Sequence, residues 1–247
     1  MMTRTKDPKP TEFRKRGQEV TRIEAFSDVV FGFALTLLVV SLEVPHTFTE
    51  LLADMRGFLP FAVCFGIFAQ VWWLHHNFFR RYGLDDGITA TLNFVLLFVM
   101  LFYTYPLKFV FTGLFNQFAH QPFHGARGEP WLEPWQGSTM MIVYGLGYAT
   151  VFLVFVLLHW HALRNRRELE LNQFELFDTY TSMIEDGFLA SVGIVCAATA
   201  SLLPPSAGGL AGFIFFLIPI GMTIIGSRRR VARHKLEATR TDRITAT

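Results

Sequence analysis

The side chains able to do chemistry are few and scattered. His75, His76, His159 and His161 are of the type that holds metals or moves protons near neutral pH. None stands in an HExxH pattern, no cysteine cluster accompanies them, and no carboxylate pair lies at ligand spacing. His159 and His161 flank Trp160 and precede Arg164 at the end of an apolar run, where amphipathic residues commonly mark a membrane boundary. Cys64 and Cys196 both sit inside apolar runs and read as small buried hydrophobes, with no disulfide framework implied. There is no nucleophile paired with a base and no nucleotide loop. The expectation is therefore a non-enzyme without a cofactor or bound metal.

Asp28 is the ionisable residue in the most informative place. It lies near the start of the stretch Thr21 to Pro45, which opens with Arg22, Glu24 and Ser27 and then runs apolar from Val29 to Val40, broken only by Gly32 and Thr36. A carboxylate at the root of a membrane segment is costly unless it is paired or faces water, so it marks a functional site by default.

The elements that must position it are membrane helices. The chain of 247 residues is 51% hydrophobic and 15% aromatic with 27 Phe, too apolar for an ordinary soluble domain. A net charge of +2 carries no basic field that would suggest nucleic acid. A bilayer core of about 30 Å takes roughly 20 apolar residues per helix. On that rule spans are predicted at Ile23–Val44, Phe58–Phe79, Ile88–Phe111, Thr139–Ala162, Gly187–Leu203 and Leu210–Gly226. The fifth is short and rich in small residues, suited to close helix packing.

Lys and Arg collect before the first span, at Arg80 and Arg81, at Arg164, Arg166 and Arg167, and after Ser227, whereas the alternate loops carry only Arg56 and Arg127. That alternation predicts six spans with both termini in the cytoplasm. The division is a polar N-terminal segment 1–20, which is neither signal peptide nor anchor, a membrane domain 21–226, and a basic and polar tail 227–247 expected to be disordered. Residues 116–137 form a long loop in which Trp131 and Trp135 suit the outer interface. Residues 166–186 mix acidic and apolar residues, as in an amphipathic helix along the inner leaflet or an extension of the fourth span.

A filter of the TVGYG type has only a superficial echo in Val143-Tyr144-Gly145-Leu146-Gly147. That segment lies within a continuous apolar run, and its glycines read as a packing face.

Arg22-x-x-x-Phe26-Ser27-Asp28 at the base of the first span is a specific pattern. With Trp72, Trp73, His76 and Phe78 in the second span, and Asn93 and Pro106 in the third, it resembles the signature of the transmembrane protein 175 family of endosomal and lysosomal potassium channels and their prokaryotic relatives. The resemblance implies an all-α membrane protein, a homotetramer in which copies of the first helix line a central pore. It implies passive potassium conduction across the plasma membrane of a prokaryote, without a filter loop. It assigns the hydrophobic constriction to Phe33, with Leu37 and Val40 further out, and potassium preference to Thr36. Phe33 departs from the Ile or Leu usual there, and a larger ring would close by dewetting or swing aside as a gate.

The periodicity is compatible. At about 100° per residue, Phe26, Val29, Val30, Phe33, Thr36, Leu37 and Val40 share one broad face, with Ser27 and Asp28 turned away from it. Asp28 is then expected to point into the bundle, in a polar cluster with Arg22, Ser27, His76 and Asn93 that fixes the helix root. Glu43, Glu50 and Asp54 are placed to concentrate cations at the outer mouth. One signature per chain requires a cyclic oligomer to enclose a pore. The alternatives are a proton-coupled secondary transporter or proton-permeable channel, with Asp28 and His76 titrating, and a membrane scaffold whose pore never wets.

Overall fold

The computed structural model describes residues 13–40, 47–48, 58–118, 133 and 136–245. Trp131, Trp135, Glu43, Glu50, Asp54 and the Val40 side chain lie outside the described residues. The helices in order are α1 (Arg22–Val40), α2 (Phe58–Tyr82), α3 (Gly87–Phe118), α4 (Gln136–Arg164), α5 (Gln173–Leu202), a 3-10 helix (Pro205–Phe216) and α6 (Leu217–Thr245). Five stretches, within α2, α3, α4, α5 and across the 3-10 helix into α6, are long and apolar enough to cross a membrane. The 19 residues of α1 are as apolar beyond Asp28 but carry Arg22, Glu24 and Asp28 in their first turns. This is a multi-pass integral membrane protein.

Three helix starts are written in the sequence. Thr21 and Glu24 form a reciprocal cap on α1: the Glu24 amide donates to Thr21 Oγ1 (3.2 Å) and the Thr21 amide to Glu24 Oε2 (3.0 Å). Asp86 Oδ1 accepts from the Thr89 amide at the start of α3. Asn172 and Glu175 form a second capping box on α5.

The bundle is built around α4 and α5, and small residues explain why. Gly145 and Ala149 of α4 meet Gly193 and Ala197 of α5, each glycine backbone lying against the other. Gly147 faces a different neighbour. A Cβ there would meet the ring of Tyr103, whose hydroxyl donates to the Tyr144 carbonyl at 2.6 Å. The two glycines of the filter-like echo thus serve opposite sides of α4, rather than a single packing face.

Three expectations need correction. Residues 173–186 are neither an inner-leaflet helix nor an extension of the fourth span, because a turn at 165–170 separates them from α4 and the capping box starts α5 at Gln173. The tail is not disordered from Ser227, since α6 continues to Thr245. Arg229 reaches Asp178 (3.0 Å) and Glu185 (3.4 Å), and Arg233 reaches Asp178 (3.7 Å), so the polar half of α6 is held against the polar half of α5. The predicted sixth span also splits. Its first part is a 3-10 helix of 12 residues, tighter and longer than such runs usually are. Gly208 packs there directly on Ser138.

Candidate pore helix and its polar root

Helix α1 has two unlike faces. Glu24, Ser27, Phe31, Ala34 and Leu38 are buried against α2 and α3, a helical stripe of residues three and four apart. Phe26, Val29, Phe33 and Val39 are exposed, Val29 at 70% and Phe33 at 56%, and Thr36 lies among them. Val30 and Leu37 are half-buried on the flank. A single chain therefore leaves a continuous apolar face on α1 uncovered, broken by one hydroxyl. Thr36 Oγ1 donates to the Phe33 carbonyl at 2.7 Å, which leaves its lone pairs toward that face.

The root is held by a chain of hydrogen bonds across three helices. His75 Nε2 donates to Asn93 Oδ1 (2.8 Å), Asn93 Nδ2 donates to Ser27 Oγ (2.9 Å), and the Ser27 hydroxyl donates to the Ile23 carbonyl (2.7 Å). His75, Asn93 and Ser27 are at most 1% exposed, so each polar atom needs its partner. Phe31 and Phe79 pack on the imidazole, with centroids 5.6 and 4.6 Å away.

The expected cluster is thus met in part. Ser27 and Asn93 pair, but the imidazole that joins them is His75. His76 instead stacks between Trp72 and Trp73, at centroid distances of 5.5 and 5.9 Å. The signal was available: His75 continues the stripe Cys64, Phe68, Val71, Phe78 and Tyr82, all buried, whereas His76 lies one residue off it.

Asp28 does not turn into the bundle. It is exposed at the edge of the uncovered face, about 100° round from Ser27, and accepts from Trp72 Nε1 at 2.8 Å. Arg22 is exposed, and among the described residues nothing brings it onto Asp28. A pocket of about 110 Å³ opens beside this carboxylate, lined by Glu24, Asp28, Trp72, His75, His76 and Arg80 together with Val20. Among the described residues no group of His, Cys, Asp or Glu is arranged to hold a metal.

Comparison with known proteins gives this geometry a lineage. Residues 22–106, which span α1, α2 and α3 as far as Pro106, match the family model of the endosomal/lysosomal potassium channel TMEM175. A protein named as a potassium channel from Marivirga tractuosa is 38% identical over 236 residues, covering 87% of this chain and 89% of that one. The chain belongs to the TMEM175 family. The crystal structure of a variant of the potassium channel MtTMEM175, bound to a nanobody–MBP fusion, superposes with a TM-score of 0.78 at 38% identity, covering 89% of this chain and 97% of that one. A lysosomal potassium-selective channel homologue from Chamaesiphon minutus shares the fold at a TM-score of 0.53 and 24% identity. The match to MtTMEM175 covers 89% of this chain, so the likeness extends well beyond the motif in residues 22–106.

Proposed function

We propose that this TMEM175-family protein is a potassium-permeable channel that conducts passively. Four copies of α1 enclose the pore, and their Phe33 side chains form its narrowest ring, followed outward by Leu37 and Val40. Thr36 places the hydroxyl nearest the ions and contributes to potassium preference. Ser27 and Asn93, with Arg22, Phe26, Asp28 and His76 of the signature around them, keep the helix root in place. Both termini are cytoplasmic, with the basic loops on that side, and the membrane is the plasma membrane of a prokaryote.

The observation that carries this reading is the uncovered face of α1. A membrane helix whose other face is anchored by a buried polar chain, yet which leaves Phe26, Val29, Phe33 and Thr36 exposed, is incomplete until copies surround a shared axis. A ring of phenyl groups opposes ion passage by dewetting, so conduction requires Phe33 to move off the axis. Reconstitution into liposomes with a potassium gradient is the test. Wild type is expected to pass potassium electrodiffusively, and Phe33→Ala to raise that flux by about tenfold, the effect of removing roughly 1.4 kcal/mol from the barrier. Absence of potassium, rubidium and proton flux from both proteins would overturn the channel reading.

Proton-coupled transport is the second reading, favoured by the pocket in which Glu24, Asp28, His75 and His76 gather beside α1. It predicts saturable flux that requires a proton gradient.

A further inference from the structure

Residues 13–20 lead into α1 and are strapped across the ends of α2 and α5. Phe13 stands edge-on to Tyr82 at 5.4 Å, with Arg81 over its ring at 5.3 Å. The Gly17 amide donates to the Arg80 carbonyl, and Arg80 Nη1 returns bonds to the carbonyls of Gly17 (2.7 Å) and Gln18 (3.1 Å). The strap passes so close that a Cβ at Gly17 would stand 2.5 Å from the Phe79 carbonyl oxygen. Gly83, at φ 60°, takes the left-handed turn that lets α2 end beneath it.

The centre of this strap is Glu175. Its side chain is completely buried and takes three donors on each oxygen. Oε1 accepts from the Arg14 amide, Arg14 Nε and Arg16 Nη1; Oε2 accepts from Arg14 Nη2, Arg16 Nη2 and the Asn172 amide. Arg16 Nε also donates to the Leu169 carbonyl at 2.8 Å, and Arg14 Nη2 to the carbonyl of Glu170. A capping box needs one of these carboxylate bonds. The remainder tie the segment before α1 to a helix 150 residues and more away in sequence.

We propose that Glu175 is a positioning residue for conduction: by fixing Arg14 and Arg16 on α5 it tethers the strap that holds the root of α1 back against α2, which opposes closure of the Phe33 ring. The direction follows from the two faces of α1. The strap is bonded to the ends of α2 and α5, and α1 turns its buried stripe to α2 and α3, whereas Phe33 and Val29 project on its uncovered face. Phenyl groups meeting across an axis are drawn together by burial of their own surface. A tether on the far side resists that movement. The proposal rests on α1 lining the pore.

Two variants separate the clasp from the cap. Glu175→Gln keeps a side chain able to cap α5 but removes the charge; Arg14→Gln/Arg16→Gln leaves Glu175 itself in place. Potassium flux and single-channel currents are recorded in liposomes, and distances between spin labels on Val20→Cys, an exposed site in the strap, are measured across the oligomer. Both variants are expected to assemble, to lose potassium flux by about fivefold or more through a lower open probability at unchanged unitary conductance, and to shift and broaden the label distances. Wild-type flux together with wild-type distances in both variants would overturn the proposal, and so would loss of the oligomer in both, which would make the clasp a folding staple. If wild type passes no potassium while the distances still respond to Glu175→Gln, the channel reading fails and the positioning of α1 stands.

Discussion

Gly145 and Gly193 cross so closely that a Cβ built on either would lie 2.6 Å from the carbonyl oxygen of the other. Neither position has a flexible side chain that can yield, because the obstructing atoms are backbone. Gly145→Val and Gly193→Val must therefore separate α4 from α5, and each is expected to destabilise the protein by about 3 kcal/mol or more, at or beyond the upper end for overpacked cores. Thermal unfolding of the detergent-solubilised protein measures this. Gly226→Val in α6, where a Cβ meets nothing within 4 Å, is the control expected to unfold as wild type does.

Asn93 is the middle link between His75 and Ser27, and its removal strands both. Asn93→Leu leaves two buried polar groups short of a partner, at about 1–3 kcal/mol each. Ser27→Ala, which removes one end only, should cost less. The ordering of the two melting temperatures is the readout.

Thr36 keeps its hydroxyl oxygen toward the uncovered face while its proton is engaged by the Phe33 carbonyl. Under the channel reading, Thr36→Val preserves helix shape and conduction but lowers the potassium-to-sodium permeability ratio by roughly threefold, as loss of one weak oxygen contact per subunit would. Reversal potentials under bi-ionic conditions decide it.

Asp178 receives Arg229 and Arg233, the contacts that keep α6 helical beyond the apolar part. Asp178→Asn is expected to fray residues 227–245 without disturbing α1. Hydrogen exchange should quicken in that stretch by about tenfold while the protection of α1 and α3 is unchanged.

Glu175 supplies a pH dependence. Burial raises its carboxyl pKa, but the bonds from Arg16, Arg14 and the amides of Asn172 and Arg14 outweigh that and hold it at about 2, below its ordinary 4.5. A folded-state pKa below the unfolded one means the clasp contributes fully above about pH 4.5 and is lost as pH falls toward 2. Melting temperature should therefore drop across that interval in wild type. Glu175→Gln should remove that part of the drop, at the cost of lower stability near neutrality.

Much of this protein is legible in one dimension. Long apolar segments can be stable only as membrane helices, since lipid offers no partner for open backbone groups, and the basic clusters punctuate them. Capping chemistry at Thr21 and Glu24 is local, and so is the rotation that puts Phe33 and Thr36 on one face of α1. The motif Arg22-x-x-x-Phe26-Ser27-Asp28 was enough to suggest the family. What lies between helices was not legible in the same way. The stripe through Cys64, Phe68, Val71, Phe78 and Tyr82 singles out His75 over His76, but setting Asp28 on Trp72 rather than inside the bundle depends on which neighbour each face meets, and periodicity does not name neighbours. Glu175 is the extreme case. In the sequence it is one acidic residue in a mixed polar stretch, and only the folding of α5 beside α2 brings it beneath Arg14 and Arg16, where burial turns an ordinary surface charge into the anchor of α1.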